Sequence, residues 1–307
     1  MAQRIGQLSR ISISALAAVA AVAALCLTGC GQQQSRGALA SVDSAQKLRE
    51  ALGSGVTDKN GGKPKQERTG WATLKGTITV AGDPPDRPFY NIDKNLDICA
   101  PGGKKALAET VIVDPQTKGL ANVFIYAADL KAADDMVHPD MIGAGTDEIL
   151  FDQKRCAFIP HALVVDAKQT LKIKNSDGTP HNTKFATGQD RTVQPAALEA
   201  LVFGRRAKEP IEVSCSFHLW MRAYVLPLDN LYGAVAGTDG SFEINDLPAG
   251  VDLRIQLWHE QLKKKFSGAS VTVDGQPATL KRGRLSLKLE PSKTTLVKIE
   301  LPASAFE

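Results

Sequence analysis

Three residues near the middle of the sequence place metal-binding side chains close together. A thiol, an imidazole and a thioether fall within seven positions at Cys215, His218 and Met221, and a second imidazole, His181, precedes them in a turn-like segment. Two His and one Cys with a weak axial Met form the ligand set of mononuclear copper electron-transfer sites. Each residue alone is more often part of a core. Together they predict one bound copper ion that cycles between Cu(I) and Cu(II).

The sequence around these four residues resembles the cupredoxins, and most closely amicyanin and plastocyanin. The matching motifs are Phe-x-Pro-x-x-Leu-x-Val at 158–165, the turn from Asn175 to Asn182, and Cys-x2-His-x2-Met at 215–221, whose spacing is that of amicyanin. The resemblance implies a Greek-key β-sandwich carrying a type 1 (blue) copper site with His181, Cys215, His218 and Met221 as ligands.

Two further residues are expected to support this site. Asn182 directly follows one ligand, and its backbone or amide is predicted to tie the His181 strand to the Cys215 loop and so to tune the thiolate. Trp220 lies between His218 and Met221 and is predicted to cover the metal edge through which electrons pass.

The elements that must position these side chains are short β-strands. After Trp71 the sequence alternates with period two in short β-branched runs bounded by Gly, Pro, Asp and Asn, which predicts an all-β sandwich or barrel. The segment from Leu130 to Gly145 is expected to hold a helical turn or a loop. The predicted strand runs include Thr77–Val80, Val111–Val113, Val123–Tyr126, Leu163–Val165, Leu171–Ile173 and Ile211–Val213.

The flanks of the copper segment resemble a second kind of sandwich. An Asp-Gly-Ser-Phe turn at 239–242, Leu-Pro-Ala-Gly at 247–250 and a strand at Leu253–Trp258 are similar to the second half of a carboxypeptidase regulatory-like (transthyretin-like) domain, whose first half Gly76–Val80 and Asn122–Tyr126 would supply. We therefore expect a cupredoxin-like domain at 146–230, inserted between two parts of this sandwich at 71–145 and 231–307. Separate sandwiches in series are the alternative.

The first 29 residues read as an export signal. Arg4 and Arg10 precede an apolar run, which ends in Leu-Thr-Gly-Cys at 27–30 and resembles the lipobox of bacterial lipoproteins. We expect cleavage before Cys30, lipid attachment there, a flexible tether over 30–70 and a location in the cell envelope outside the cytoplasm. A signal anchor retained in the membrane is the alternative.

Cysteine usage and charge support this reading. Of the five Cys, Cys26 would leave with the leader and Cys30 would carry lipid, so Cys99 and Cys156 remain to pair with each other once Cys215 is assigned to copper. Two free thiols are the alternative. The net charge of +4, which falls to +2 without Arg4 and Arg10, is too small to indicate a nucleic-acid partner.

The favoured function is therefore one-electron transfer by a lipid-anchored blue copper protein, with a redox protein such as a c-type cytochrome as the expected partner. A glycan- or protein-binding sandwich with a structural or vestigial copper site is the alternative. An enzyme is not expected, because four protein ligands leave the metal no open position for substrate. His161 is expected to be structural or solvent-facing, and His138 and His259, which have no sulfur neighbours, are left unassigned.

Overall fold

The computed structural model describes residues 66–130, 135–141 and 147–307, and this part of the chain is all-β. Its helical structure is one turn of α-helix, α1 (Leu96–Cys99), and 3-10 turns at Pro101–Gly103, Pro139–Met141 and Ala303–Phe306. Within the described ranges, no helix is long and apolar enough to cross a membrane. The predicted leader, the predicted lipidation site Cys30 and the predicted tether up to residue 65 lie outside the described residues.

The strands fall into two groups along the chain: one group lies between residues 149 and 228, and the other lies before and after that stretch. The strands are β1 (Gly70–Ala81), β2 (Phe124–Ala127), β3 (Ile149–Lys154), β4 (Ala157–Ile159), β5 (Ala162–Asp166), β6 (Leu171–Asn175), β7 (His181–Phe185), β8 (Asp190–Val193), β9 (Leu198–Leu201), β10 (Ile211–Ser214), β11 (Arg222–Leu228), β12 (Gly233–Val235), β13 (Ser241–Ala249), β14 (Asp252–Trp258), β15 (Ser270–Val273), β16 (Gln276–Pro277), β17 (Arg284–Lys288) and β18 (Thr294–Pro302).

In the described part of the chain these strands form four sheets, none of which mixes the two groups. The two central sheets have the orders β4-β3-β6-β9 and β5-β11-β10-β7-β8, and the two flanking sheets have the orders β13-β1-β18-β15-β16 and β12-β2-β14-β17. All strands of the central sheets lie between residues 149 and 228, whereas the flanking sheets combine strands from before and after that stretch. The domain boundaries expected at 145/146 and 230/231 stay a prediction.

The flanking sheets enclose an apolar core built by period-two alternation. In β1 the side chains of Leu74, Ile78 and Val80 are buried between polar neighbours that face outwards. Gly240 is required where the turn before β13 meets β1, because its φ is +77° and a Cβ there would lie 2.2 Å from the carbonyl oxygen of Ile78. The turn residue is thus fixed by close backbone contact.

The central sheets enclose a second core, which lies behind the candidate metal ligands. Phe151 and Phe158 stack at 5.3 Å between ring centroids, and Ile173, Phe185 and Val213 are buried with them. Cys215 and Met221 belong to the same cluster. The predicted ligand loop therefore rests on a close-packed apolar base.

A third cluster joins a flanking sheet to a central one. Phe124 and Trp258 on one side pack with Tyr224 and Leu226 on the other, and Tyr224 and Trp258 have ring centroids 4.9 Å apart. The contact surface between the two groups of strands is therefore itself a buried apolar core.

An ion cluster lies at the edge of this joining core. The His161 imidazole Nε2 is 2.6 Å from Glu260 Oε1, and its Nδ1 is 3.4 Å from Glu109 Oε2 without the alignment of a hydrogen bond. Burial lowers the pKa of His161, but the two carboxylates outweigh burial and raise that pKa to about 9. His161 precedes β5, whereas both Glu residues lie outside the central sheets, so the charges link the two groups of strands.

One predicted strand is wrong. Val111–Val113 forms only an isolated bridge, between Val113 and Leu120. The backbone there turns back at once, because Asp114 accepts hydrogen bonds from the N–H groups of Gln116 and Thr117. An Asx-type turn takes the hydrogen bonds that a longer strand would need.

Candidate metal centre

The seven residues from Cys215 to Met221 form a tight loop between β10 and β11. The strand ends are paired through Ser214 and Arg222. Inside the loop the N–H of Cys215 donates to the Met221 carbonyl oxygen at 3.3 Å, and the N–H of Met221 donates to the His218 carbonyl oxygen at 2.9 Å. These bonds close the loop on itself and hold its side chains at one end of the central sheet.

His181 reaches the same place as the first residue of β7, which pairs with β10. Its Nδ1 lies 3.0 Å from Nδ1 of His218, and Cys215 Sγ lies 3.8 Å from that same His218 atom. One ligand atom from each of the three residues lies within 4.8 Å of the others, and all three residues are buried. Met221 is also buried, in the core cluster that contains Cys215.

The surroundings of the Cys215 sulfur favour its thiolate form. The backbone N–H of Asn182 donates to Sγ at 3.3 Å, and the Asn182 side-chain oxygen accepts from the Ser216 hydroxyl at 3.0 Å. Burial raises the pKa of the thiol, but the His181 imidazole and the Asn182 N–H outweigh burial, so the pKa is lowered. Asn182 thus joins β7 to the loop through both its backbone and its side chain.

An acidic side chain fixes the outer nitrogen of His181. Asp177 Oδ2 is 2.8 Å from His181 Nε2, and the Asp177 carboxylate also accepts the backbone N–H groups of Arg155 at 2.6 Å and Cys156 at 2.8 Å. Burial raises the pKa of Asp177, yet these bonds outweigh it and lower that pKa. For His181, burial lowers the pKa, whereas Asp177 and Cys215 raise it, and the net direction is upward.

The outer nitrogen of His218 is held from a distant part of the sequence. His218 Nε2 lies 2.9 Å from Oδ1 of Asn95, and the imidazole packs edge-on against Trp220 at 5.1 Å between centroids. Burial, followed by the positive charges of His181 and Lys94, lowers the pKa of His218 to about 4. His218 is therefore neutral at physiological pH, as a metal-binding imidazole must be.

The donor set fits a copper ion. Each imidazole has its Nε2 engaged by an outer partner, Asp177 or Asn95, which leaves the two Nδ1 atoms facing each other beside the Cys215 sulfur. One thiolate and two imidazoles, with a thioether in the same core, suit copper better than the hard cations Mg²⁺ or Ca²⁺. Two other convergent groups include Cys99 or Cys156, whose sulfurs are joined in a disulfide and so are not thiolate donors.

The remaining histidines have other surroundings. His138 packs edge-on against Trp71 at 4.8 Å between ring centroids. His259 is buried against Phe306, and burial lowers its pKa to about 3. Neither of them, nor the ion-paired His161, belongs to the group of side chains that converge with Cys215.

Sequence reasoning missed Asn95 and Asp177. The signal for Asp177 was available, since an acidic residue four positions before a turn-borne His can fold back onto the ring. Asn95 carries no such signal, because it reaches His218 only through the tertiary fold. Trp220 was expected at the metal edge; its ring packs on His218, and its Nε1–H donates to the carbonyl oxygen of Cys156 at 3.2 Å.

The chain was compared with known proteins. No family model and no curated protein matches it. Among solved structures, a reduced amicyanin mutant is 20% identical over 34% of this chain and 98% of its own, with a TM-score of 0.24. Amicyanin from Paracoccus versutus is 17% identical over 35% of this chain and 98% of its own, and has the same TM-score.

Cu-containing nitrite reductase from Thermus scotoductus SA-01 is 14% identical over 26% of this chain, again with a TM-score of 0.24. The chain spans only 22% of the length of that reductase. Likeness at this level establishes neither a family nor an activity. No neighbour resembling a carboxypeptidase regulatory-like domain is among these structures, so that resemblance stays a prediction.

Proposed function

We propose that the chain is a mononuclear copper protein that exchanges single electrons. The observation that carries the proposal is the buried convergence of His181, Cys215 and His218, in which the thiol is biased towards its anion and both imidazole Nδ1 atoms face inwards. A structural cysteine has no need of an adjacent N–H donor and two inward-facing imidazoles. A soft-metal site needs all three features.

The ion would be held by His181, Cys215 and His218, with the Met221 thioether as a further, weak ligand. Copper bound there supplies one-electron exchange between Cu(I) and Cu(II). The protein contributes rigidity: the paired ends of β10 and β11, the Asn182 bonds and the Asp177 carboxylate each restrain a ligand. Restrained ligands change little between oxidation states, which favours fast electron exchange.

A partner protein would dock around the ligand loop. Leu219 is 74% exposed and Phe217 is 42% exposed, although they flank the buried His218. Large apolar side chains at a surface favour contact with another protein. A redox protein such as a c-type cytochrome, docked there, would approach the copper ligands closely.

The cell-envelope location belongs to the same proposal. The disulfide between Cys99 and Cys156 is typical of proteins that fold outside the reducing cytoplasm. Lipid attachment at Cys30 would then keep the protein at the membrane surface, within reach of a partner. At the membrane surface the bound copper would carry electrons and would not turn over a substrate.

A binding role is favoured by a different observation. A cavity of about 530 Å³ beside β17 is lined by Lys281, Arg282 and Arg284 and by Arg254, which is ion-paired with Asp129, and no carboxylate is among its lining residues. Such a surface suits an acidic ligand. In this alternative, binding of an acidic glycan would survive loss of the Cys215 thiol.

The test is copper loading followed by visible and EPR spectroscopy. The loaded protein should bind one copper and show an intense thiolate-to-copper band, and Cys215→Ser should lose that band. Met221→Leu should keep the band with an altered EPR spectrum, because the thiolate remains. His138→Asn, which removes an imidazole outside the site, is the matched control and should leave both spectra unchanged. Protein that stays colourless and copper-free after loading would rule out the proposal.

A further inference from the structure

Residues 91–99, here called the cover segment, lie over the candidate copper ligands. Asn95 Oδ1 is 2.9 Å from His218 Nε2, and Lys94 Nζ is 3.5 Å from the Phe217 carbonyl oxygen. His218 is only 1% exposed, although its neighbours Phe217 and Leu219 are open to solvent. The cover segment therefore accounts for the isolation of His218 from water.

A disulfide anchors the cover segment at its last residue. Cys99 is bonded to Cys156, which lies in the two-residue turn between β3 and β4. Both turn residues, Arg155 and Cys156, have left-handed backbones with φ of 54° and 55°, a conformation that favours glycine or asparagine. The Asp177 carboxylate accepts both of their N–H groups and so stabilises the turn.

The same disulfide adjoins both ligand histidines. The sulfurs of Cys99 and Cys156 lie within 4.8 Å of a His218 ring nitrogen, and the Cys156 sulfur lies within 4.8 Å of a His181 ring nitrogen. The Cys156 backbone also binds Asp177 through its N–H and Trp220 through its carbonyl oxygen. One covalent bond thus connects the outer surroundings of both ligand histidines.

Apart from this bond and the contacts of Asn95 and Lys94, the cover segment is weakly held. Its helix α1 is a single turn, and Ile92 and Ile98 are only half-buried against the central core. A cavity of about 640 Å³ opens beside it, lined in part by Leu96 and Ala100 on either side of Cys99. Segments with few buried contacts open at low free-energy cost.

We propose that Cys99–Cys156 is a reducible clamp, acted on by a dithiol reductant, that controls access to the copper site. The dithiol gives two electrons and two protons to the disulfide, which becomes two thiols, and the dithiol is itself oxidised to a disulfide. The cover segment then lifts, Asn95 leaves His218, and solvent reaches the imidazole. This inference rests on the proposed copper function, because it assigns the clamp a role at that site.

The first experiment measures copper release from protein loaded and kept as Cu(I), so that the reductant cannot change the metal's oxidation state. Removal of a histidine's outer partner typically weakens metal binding about 10- to 100-fold. We expect a Cu(I)-specific chelator to remove copper about tenfold faster from dithiol-treated protein, from the double variant Cys99→Ser/Cys156→Ser and from Asn95→Ala, which keeps the disulfide. Leu96→Ala, which changes an exposed side chain of the cover segment, is the matched control and should release copper at the wild-type rate.

The second experiment uses copper-free protein and so separates the clamp from the copper function. Dithiol treatment should speed amide hydrogen exchange in residues 91–99 at least about tenfold, while β6 and β10 stay protected. Protein that binds no copper yet shows this opening would overturn the copper function, while the disulfide would still control the opening of the cover segment over His218. Copper-loaded protein whose release rate and cover-segment exchange do not respond to the dithiol or to the two variants would overturn the clamp.

Discussion

Replacing Glu260 with Gln tests the charge pair that links the central and flanking strands. Burial lowers the pKa of His161, but Glu109 and Glu260 together outweigh burial and raise that pKa from the ordinary 6.5 to about 9. A raised pKa means that the folded state holds the proton more tightly than the unfolded state does. The resulting stabilisation is fully present below pH 6.5 and is lost as the pH rises through 9.

The size of the effect follows from the same two values. Each pKa unit corresponds to ~1.4 kcal/mol, so full protonation of His161 contributes about 3 kcal/mol to the free energy of unfolding. In Glu260→Gln the amide still accepts a hydrogen bond from neutral His161, so the variant loses only the part of the stabilisation that depends on charge. Because Glu109 remains beside His161, we expect a loss of about 1–2 kcal/mol near pH 6.5, equivalent to roughly 2–8 °C in melting temperature.

The assay is urea unfolding of copper-free protein at several values between pH 6.5 and 9.5. The difference between wild type and Glu260→Gln should shrink as the pH rises and disappear near pH 9.5. Glu212→Gln, which removes an exposed partner of Arg222, is the matched control and should cost less than about 1 kcal/mol. Parallel stability curves for wild type and Glu260→Gln across this range would refute the reasoning.

Two further substitutions probe local structure in copper-free protein through urea unfolding. Asp177→Ala should lower the free energy of unfolding by about 3 kcal/mol, because the N–H groups of Arg155 and Cys156 lose a charged acceptor. Asp177→Asn, which keeps an uncharged acceptor, should lower it by about half as much. Equal losses in the two variants would contradict a role for the charge. Gly240→Ala should lower the free energy of unfolding by about 3 kcal/mol or more, because the new Cβ would combine a positive φ with a clash against the Ile78 carbonyl oxygen. Gly102→Ala, which has a positive φ but open space around it, should lower it by about 1 kcal/mol. Equal unfolding midpoints for these two variants would show that the clash is absent.

Local features of the candidate site could be predicted from the sequence. Cys215, His218 and Met221 lie within one loop, so their proximity follows from spacing alone, and His181 follows a turn at the end of a strand. Alternation of apolar side chains gave the all-β class for the same reason, since it depends only on neighbouring residues.

Non-local support for the site could not be predicted. Asn95 reaches His218 from 123 positions away, and only the packing of the cover segment on the central sheets brings them together. The β3–β4 turn was equally hidden, because Arg155-Cys156 lacks the Asn-Gly pattern that usually marks such a turn. The two N–H groups of this turn donate to the Asp177 carboxylate, and these tertiary hydrogen bonds stabilise a turn that the local sequence does not favour.

The position of β18 has a consequence for truncated forms of the protein. This strand lies inside its sheet, parallel to β1 and antiparallel to β15, and Thr73 is paired with Thr294. The strands of the central sheets are complete at residue 228, whereas β1 needs a neighbour more than 200 residues later in the chain. A chain that ends before β18 would keep its ligand loop but expose the edges of β1 and β15. Such edges promote aggregation and proteolysis, so truncated products should be cleared even when the candidate metal site has formed.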